Sequence, residues 1–138
     1  MKILNLGCGE NPMIAAINID IRLIQGIDLV ANANQLPFPA NYFQQIFSHN
    51  PFRYNPVSQA VADVLEPDGI LIVTGQPRNP FLKKFLKTVS PNELLMRGFE
   101  LIKVGSVEPS LIIGTPKNTT GKPLDTSIMI QALFRKIK

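Results

Sequence analysis

Residues 2–12 read Lys-Ile-Leu-Asn-Leu-Gly-Cys-Gly-Glu-Asn-Pro, a short apolar run followed at once by two glycines. A run of this length that ends in glycines is typical of a buried strand leading into a loop. Because Gly7 and Gly9 have no Cβ, the backbone of this loop can approach a ligand closely. The stretch therefore predicts a first buried strand and a candidate ligand-binding loop.

Six further segments are short and apolar, or alternate apolar with polar side chains, as strands do. They are residues 16–21, 27–31, 43–48, 70–74, 99–107 and 127–134. Strands that alternate with helices and then end in a strand pair are typical of an α/β sheet with an antiparallel edge. We therefore predict one domain, residues 1–138, with a Rossmann-like, mostly parallel sheet and an antiparallel C-terminal strand pair.

One helix is predicted in the middle of the chain, and shorter ones follow it. Asn55 is a residue type that caps helices and Pro56 suits a first helical position, which predicts a helix over residues 56–65. The Glu-Pro-Asp-Gly sequence of residues 66–69 predicts a turn. Residues 115–126 are rich in Thr, Lys, Pro and Gly and predict a surface loop.

The composition is that of a globular protein, with 45% hydrophobic and 17% charged residues. No apolar run approaches the roughly 20 residues needed to span a bilayer. The first residues are too soon interrupted for a secretory signal, so we expect a cytoplasmic protein without a membrane association. One cysteine and one histidine are too few for a four-ligand zinc site, and no metal is expected.

The net charge of +4 is unevenly distributed along the chain. Residues 1–78 carry four basic and six acidic side chains, whereas residues 79–138 carry ten basic and four acidic ones. A basic half can attract nucleic acid. The basic residues are scattered and have no aromatic residues between them, which favours a solvated basic face over a nucleic-acid surface.

An acidic residue, Asp20, stands near the end of the second predicted strand. A carboxylate there can accept hydrogen bonds from both hydroxyl groups of a ribose. Ligands of open α/β sheets bind beyond the carboxyl ends of the strands, where Asp20 and the glycine loop are expected. The pattern favours a cofactor that contains a nucleoside; the alternative is a plain glycine turn with an exposed aspartate.

Five segments, in order, resemble the class I S-adenosylmethionine (SAM) methyltransferases. Residues 3–12 resemble the first motif of that family, and residues 17–21 resemble its second strand with the ribose-binding acid. Residues 28–39 resemble the segment that passes the adenine. Residues 41–48 and 64–73 resemble the fourth strand and the turn into the fifth strand.

The resemblance implies SAM as the cofactor and a set of binding residues at the strand ends. These are Asn5, Gly7, Cys8, Gly9, Asp20, Asn32, Ala33 and Ser48. By this resemblance Gly7 and Gly9 would lie against the methionyl part of SAM and Asp20 would hold the ribose. Asn32 and Ala33 would border the adenine, while Ser48 would line the floor near the methyl group.

The sequence departs from the family's pattern at two positions. Asn32 stands where an aspartate is usual, and its side-chain oxygen can still form a hydrogen bond with adenine. Gln44 stands where an aspartate usually follows the phenylalanine of the fourth strand. The second departure weakens the case for a carboxylate base, although methyl transfer depends mainly on the alignment of nucleophile and sulfonium.

Residues 49–52, His-Asn-Pro-Phe, provide the candidate catalytic residues, His49 and Asn50. A histidine can act as a base near neutral pH. Asn50 begins a partial match to the Asn-Pro-Pro-aromatic motif with which some amino-group methyltransferases hold a planar amine. The alternative is an Asn-Pro turn that ends the strand and a histidine without a catalytic role.

The first two predicted connections are too short for the helices of the family's fold. Residues 7–15 separate the first two strands and residues 22–26 the next two, whereas a packed crossover usually takes at least about 10–12 residues. Helices are therefore expected to be missing from one face of the sheet. An uncovered apolar face indicates association, which predicts a homodimer or a dedicated protein partner.

The sequence is compatible with two functions. One is a SAM-dependent methyltransferase that acts on a small molecule or on an exposed group of a macromolecule. The other is a non-catalytic interaction, immunity or regulatory protein on a degenerate methyltransferase scaffold. Binding of SAM distinguishes the two.

Overall fold

The computed structural model describes residues 1–9, 11–111, 117 and 120–137, which fold around one mixed sheet. In this described part, seven strands lie in the order β3-β2-β1-β4-β5-β7-β6. They are β1 (Ile3–Leu6), β2 (Ile17–Asp20), β3 (Leu29–Val30), β4 (Phe43–His49), β5 (Leu65–Gly75), β6 (Phe99–Ser106) and β7 (Ile130–Lys136). Strands β1 to β5 are parallel, and β7 runs antiparallel between β5 and β6. The predicted Rossmann-like sheet with an antiparallel C-terminal pair is confirmed.

The helices follow β4 and pack on one face of the sheet. They are α1 (Gln59–Val64), α2 (Leu86–Thr88) and α3 (Pro91–Met96), with a π-helical turn (Phe81–Phe85) directly before α2. Val61, Phe81 and Leu94 are buried against strand residues such as Leu4 and Ile46 in the main core. None of the helices in the described ranges has the length or apolarity to traverse a bilayer.

The first helix begins later than its sequence predicts. Ser58, not Asn55, is the N-cap of α1, and its hydroxyl accepts a hydrogen bond from the Val61 N–H at 3.2 Å. The Asn55 side chain instead accepts from the Val57 N–H at 2.9 Å. The prediction of a helix from Pro56 was therefore wrong, because Asn55 closes a local turn rather than capping the helix.

The turn predicted at residues 66–69 is a bulge inside a strand. Helix α1 leads directly into β5, whose register against β4 moves from Phe43 opposite Leu65 to Gln45 opposite Ile70. Asp68 within the bulge has a φ of +65°. Of the surface loop predicted at residues 115–126, residues 115, 116, 118 and 119 lie outside the described residues.

The second face of the sheet has no α-helix in the described ranges, yet its centre is covered. Phe47 and Ile72 are 9% and 1% exposed, and they pack with Met13 and Leu111. Met13 belongs to the β1–β2 connection, and Leu111 ends a short 3₁₀ helix after β6. The expectation of a largely bare face was wrong at this point, because two connections cover the area that helices cover in the family's fold.

Nor is the rest of this face a continuous apolar surface. Arg135 forms an ion pair with Glu100, and Lys103 forms one with Glu108. The edge strands β3 and β6 carry five apolar side chains that are each 39–50% exposed. They are Leu29, Val30, Leu101, Ile102 and Val104. Both edges of the sheet therefore carry exposed apolar side chains beside unpaired strand backbone, a combination that can support association.

Candidate functional site

The glycine loop leaves β1 and turns back towards β2. Gly7 and Gly9 have φ values of +62° and +50°, in the left-handed region that favours glycine. Between them, Cys8 donates its backbone N–H to the carbonyl of Ile19 at 2.9 Å. At Gly7 space is limited too, because a Cβ would lie 2.6 Å from the hydroxyl oxygen of Tyr54.

Asp20 ends β2 and is only 6% exposed. Its Oδ2 accepts the Gly9 N–H at 2.9 Å, and its Oδ1 accepts the backbone N–H and the Nε–H of Arg22 at 2.9 and 3.2 Å. Burial raises the pKa of Asp20, but the hydrogen bonds from Arg22 and Gly9 outweigh it, so the net pKa lies below its usual value. Asp20 is therefore a carboxylate at neutral pH and holds the glycine loop against the end of β2.

A cleft of about 920 Å³ opens beyond the carboxyl ends of the parallel strands. Pockets for small molecules and cofactors commonly measure about 300–1,000 Å³. Most of the residues predicted from the sequence line this cleft: Gly7, Cys8, Gly9, Asp20, Asn32, Ala33, His49 and Asn50. The fold thus brings together residues that are more than forty positions apart in the chain.

Two predicted residues, Asn5 and Ser48, lie behind the cleft wall rather than on it. Asn5 is 2% exposed, and its amide donates to Asn18 Oδ1 at 2.9 Å and to the Asn11 carbonyl at 2.8 Å. Ser48 is 1% exposed, and its Oγ lies 2.7 Å from the Tyr54 hydroxyl. Both side chains hold neighbouring elements in place.

Tyr54 is a cleft residue that the sequence did not assign to the site. Its hydroxyl donates to the Leu6 carbonyl at 3.1 Å, so Ser48 Oγ is the donor in the hydrogen bond between the two hydroxyls. Burial raises the pKa of Tyr54, and the hydroxyl therefore stays protonated. Tyr54 occupies the space directly over Gly7 and narrows the cleft there. The available signal was an aromatic residue two positions after the Asn-Pro-Phe segment.

Of the two candidate catalytic residues, neither is a ready base. Burial lowers the pKa of His49 to about 4, so its imidazole is neutral at pH 7. The Nε2 of His49 is buried and has no hydrogen-bond partner among the residues that the structure describes. Asn50 has a φ of +46°, and its Oδ1 accepts the N–H of Gln76 at 2.9 Å. The Asn50 side chain therefore ties the loop after β4 to the loop after β5.

The single thiol, Cys8, is not activated. Burial, followed by the negative charge of Asp20, raises the pKa of Cys8 to about 11. A protonated, buried thiol is a poor nucleophile. Cys8 therefore serves as a small side chain between the two glycines.

The β6–β7 connection reaches across to the glycine loop. The Asn11 amide donates to the Lys117 carbonyl at 3.0 Å, and the Lys117 N–H donates back to Asn11 Oδ1. Leu124 of the same connection also lines the cleft. This connection supplies a wall next to the short β1–β2 connection.

No protein-family model matches the chain. No curated protein matches it in sequence either. Solved structures do match it in fold. A Haloferax volcanii protein assigned as a methyltransferase, solved in complex with the Trm112 methyltransferase activator, superposes with a TM-score of 0.60 at 12% identity, over 99% of this chain and 83% of that one.

Two other structures give similar values. A SAM-dependent methyltransferase from Methanosarcina mazei superposes with a TM-score of 0.57 at 15% identity, over 99% of this chain and 92% of that one. The (4+2)-cyclase SpnF gives 0.62 at 15% identity, over 99% and 74%. The chain therefore has the fold of the class I SAM-dependent methyltransferases. The resemblance seen in the sequence is confirmed at the level of the fold.

Proposed function

We propose that this protein is a SAM-dependent methyltransferase that binds its cofactor between the glycine loop and Asp20. The observation that carries the proposal is the convergence of Gly7, Gly9, Asp20 and Asn32 around one cleft at the carboxyl ends of β1, β2 and β3. Open α/β sheets bind their ligands at that end of the strands. When bound, SAM supplies a methyl group activated by its sulfonium.

Two side chains suit the nucleoside half of the cofactor. A carboxylate can accept about four hydrogen bonds, and three N–H groups of Gly9 and Arg22 bind Asp20. We propose that Asp20 accepts one ribose hydroxyl in addition. Asn32 Oδ1 accepts the Asn34 N–H at 2.8 Å, so the Asn32 amide N–H is the group that would reach an adenine ring nitrogen.

The chain's contribution to catalysis is proposed to be alignment rather than proton abstraction. His49 has a pKa of about 4 and is a weak base at neutral pH. Gln44 is exposed and lies away from the cleft lining. Holding an acceptor in line with the sulfonium can by itself lower the barrier substantially. His49 and Asn50 would then form the floor on which the acceptor rests.

Calorimetric titration with SAM and with S-adenosylhomocysteine tests this proposal. We expect both to bind the wild-type protein in the micromolar range and Asp20→Ala to lose binding. Asp63→Ala is the matched control, because Asp63 is exposed, binds the Gln59 amide and lies outside the cleft lining. Asn32→Ala provides a second variant that leaves the Asp20 hydrogen bonds intact, and it should weaken binding.

Two results would contradict the proposal. One is a folded Asp20→Ala protein, verified by circular dichroism, that retains wild-type affinity. The other is a wild-type protein that binds neither compound. The second result is the one expected of a non-catalytic protein on a methyltransferase scaffold.

We further propose that the protein acts together with a protein partner, either a second copy or a dedicated protein. The Haloferax volcanii neighbour was solved with the Trm112 activator, and both edge strands of this sheet expose apolar side chains. Sedimentation velocity separates the two options. A homodimer would give a mass of twice the 15.3 kDa of the chain. A protein that stays monomeric at high concentration would exclude a second copy as the partner.

A further inference from the structure

The loops after β4 and β5 lie together at one end of the cleft. The Gln76 N–H donates to Asn50 Oδ1 at 2.9 Å, and the Asn79 amide donates to the Pro51 carbonyl at 3.0 Å. These two hydrogen bonds hold the loops side by side. Arg53 lies two residues after Pro51, and Arg78 is the neighbour of Asn79; both arginines are exposed and line the cleft.

The charge of the cleft is strongly positive. Its described lining carries four basic residues, Arg22, Arg53, Arg78 and Lys117, against the single carboxylate of Asp20. Arg22 forms an ion pair with that carboxylate. Within residues 1–9, 11–111, 117 and 120–137, neither Arg53 nor Arg78 forms an ion pair. The end of the cleft beside β4 and β5 is therefore a region of uncompensated positive charge.

The conformation of Arg53 adds a second observation. Its φ is +67°, in the left-handed region that non-glycine residues seldom adopt, and Asn50 in the same loop has a φ of +46°. Strained backbone of this kind is concentrated at binding sites and ligand clamps. The Arg53 guanidinium lies 5.2 Å from the ring centroid of Phe52, which is 67% exposed. The loop thus presents a cation and an aromatic surface to the cleft.

We propose that Arg53 and Arg78 bind the phosphate or carboxylate group of the methyl acceptor, which is a small anionic molecule. The inference rests on the proposed methyltransferase function. Guanidinium groups bind such anions with two parallel hydrogen bonds. The anionic group anchors the acceptor, and a different atom of the acceptor receives the methyl group. That atom's lone pair forms the new bond to the methyl carbon as the carbon–sulfur bond breaks towards sulfur. S-adenosylhomocysteine remains, and the acceptor's proton passes to water.

The test uses inorganic pyrophosphate as the probe and the double variant Arg53→Gln/Arg78→Gln. Pyrophosphate is titrated into the protein, with and without saturating S-adenosylhomocysteine, at constant ionic strength. We expect the double variant to lose about tenfold or more in pyrophosphate affinity. The control Lys84→Gln/Lys87→Gln removes the same charge from exposed positions outside the cleft lining, and it should change the affinity less than about twofold, the effect of a distant charge.

The outcomes separate the inference from the proposed function. The anion site is overturned if pyrophosphate does not bind, or if both double variants weaken its binding equally. This holds whether or not S-adenosylhomocysteine binds. If S-adenosylhomocysteine does not bind but pyrophosphate binding depends on the arginines, the anion site is supported. The proposed methyltransferase function is then contradicted.

Two more arms test the assignment to a small acceptor. If the arginine variant weakens S-adenosylhomocysteine but not 5′-methylthioadenosine, which has no carboxylate, the arginines bind the cofactor and the inference is overturned. An oligonucleotide that binds through the same arginines far more tightly than pyrophosphate overturns the small-molecule assignment in favour of nucleic acid.

Discussion

The contact between Gly7 and Tyr54 leads to a quantitative prediction. In Gly7→Ala, the new methyl would lie 2.6 Å from Tyr54 Oη and 3.1 and 3.2 Å from two ring carbons. The left-handed φ costs an L-residue roughly 1–2 kcal/mol. Moving the hydroxyl away gives up its hydrogen bonds to Ser48 and Leu6, worth about 0.5–1.5 kcal/mol each. We therefore expect Gly7→Ala to lower the free energy of unfolding by about 3 kcal/mol.

Gly9→Ala is the matched control in the same loop. Its φ is also positive, but a Cβ there would be no closer than 3.6 Å to its nearest neighbour, Arg22 Nη2. Only the backbone cost remains, about 1–2 kcal/mol. Urea denaturation followed by far-UV circular dichroism measures both variants, since the chain contains no tryptophan.

A double-mutant cycle isolates the hydroxyl contact. In a Tyr54→Phe background the atom nearest to the new methyl is absent, so Gly7→Ala should cost about 1 kcal/mol less than in the wild type. A Gly7→Ala protein that is destabilised no more than Gly9→Ala would contradict the predicted clash with Tyr54. So would a Tyr54→Phe background in which the cost of Gly7→Ala is unchanged.

Two further predictions concern buried polar groups. Folding lowers the pKa of His49 from 6.5 to about 4, so the unfolded chain binds a proton that the folded chain does not. Stability present above pH 6.5 should therefore fall by at most about 3 kcal/mol as the pH drops towards 4. In His49→Gln, the free energy of unfolding should lose this dependence on pH between 6.5 and 4. NMR titration of the single imidazole should give a midpoint near 4, whereas a midpoint near 6.5 would show that burial does not lower its pKa. The second prediction concerns Asn18, whose Oδ1 accepts hydrogen bonds from the Met13 N–H at 2.7 Å and from the Asn5 amide. The variant Asn18→Ala removes this partner from both donors. The cost should be about 3 kcal/mol, with faster hydrogen exchange at residues 13–16, whereas exposed Asn34→Ala should cost under about 0.5 kcal/mol.

The sheet could be predicted from the sequence because its central strands are buried and apolar, and its edge strands still contain several apolar residues. The exceptions are the strand ends. β7 begins at Ile130 rather than residue 127, because Asp125 accepts the Ser127 N–H at 3.0 Å and caps a 3₁₀ turn. β3 is reduced to Leu29–Val30, since this edge strand pairs only with β2. Such details depend on capping and pairing that hydrophobic periodicity does not record.

The fold brings most of the predicted site residues to one cleft, whereas the side chains of Asn5 and Ser48 lie behind its wall. Strand alternation explains Asn5: Leu4 and Leu6 face the helices, so the residue between them faces the opposite side and meets Asn18. The position of Tyr54 had no such local signal. Its place over Gly7 depends on the path of a loop 47 residues further along the chain.

The sheet face that carries no α-helix in the described ranges is covered by two connections. Asn18 hydrogen-bonds the backbone of the β1–β2 connection at Met13 and Ala16, so that Met13 covers Phe47 and Ile72 without a helix. Leu111 adds to the same cluster, and Lys117 pairs with Asn11 beside the glycine loop. A segment from the C-terminal half thus covers the region next to the glycine loop. If the contact between Asn11 and Lys117 keeps the cleft formed, Asn11→Ala should weaken S-adenosylhomocysteine binding, although Asp20 is unchanged. An unchanged affinity would show that the glycine loop keeps its conformation without this contact.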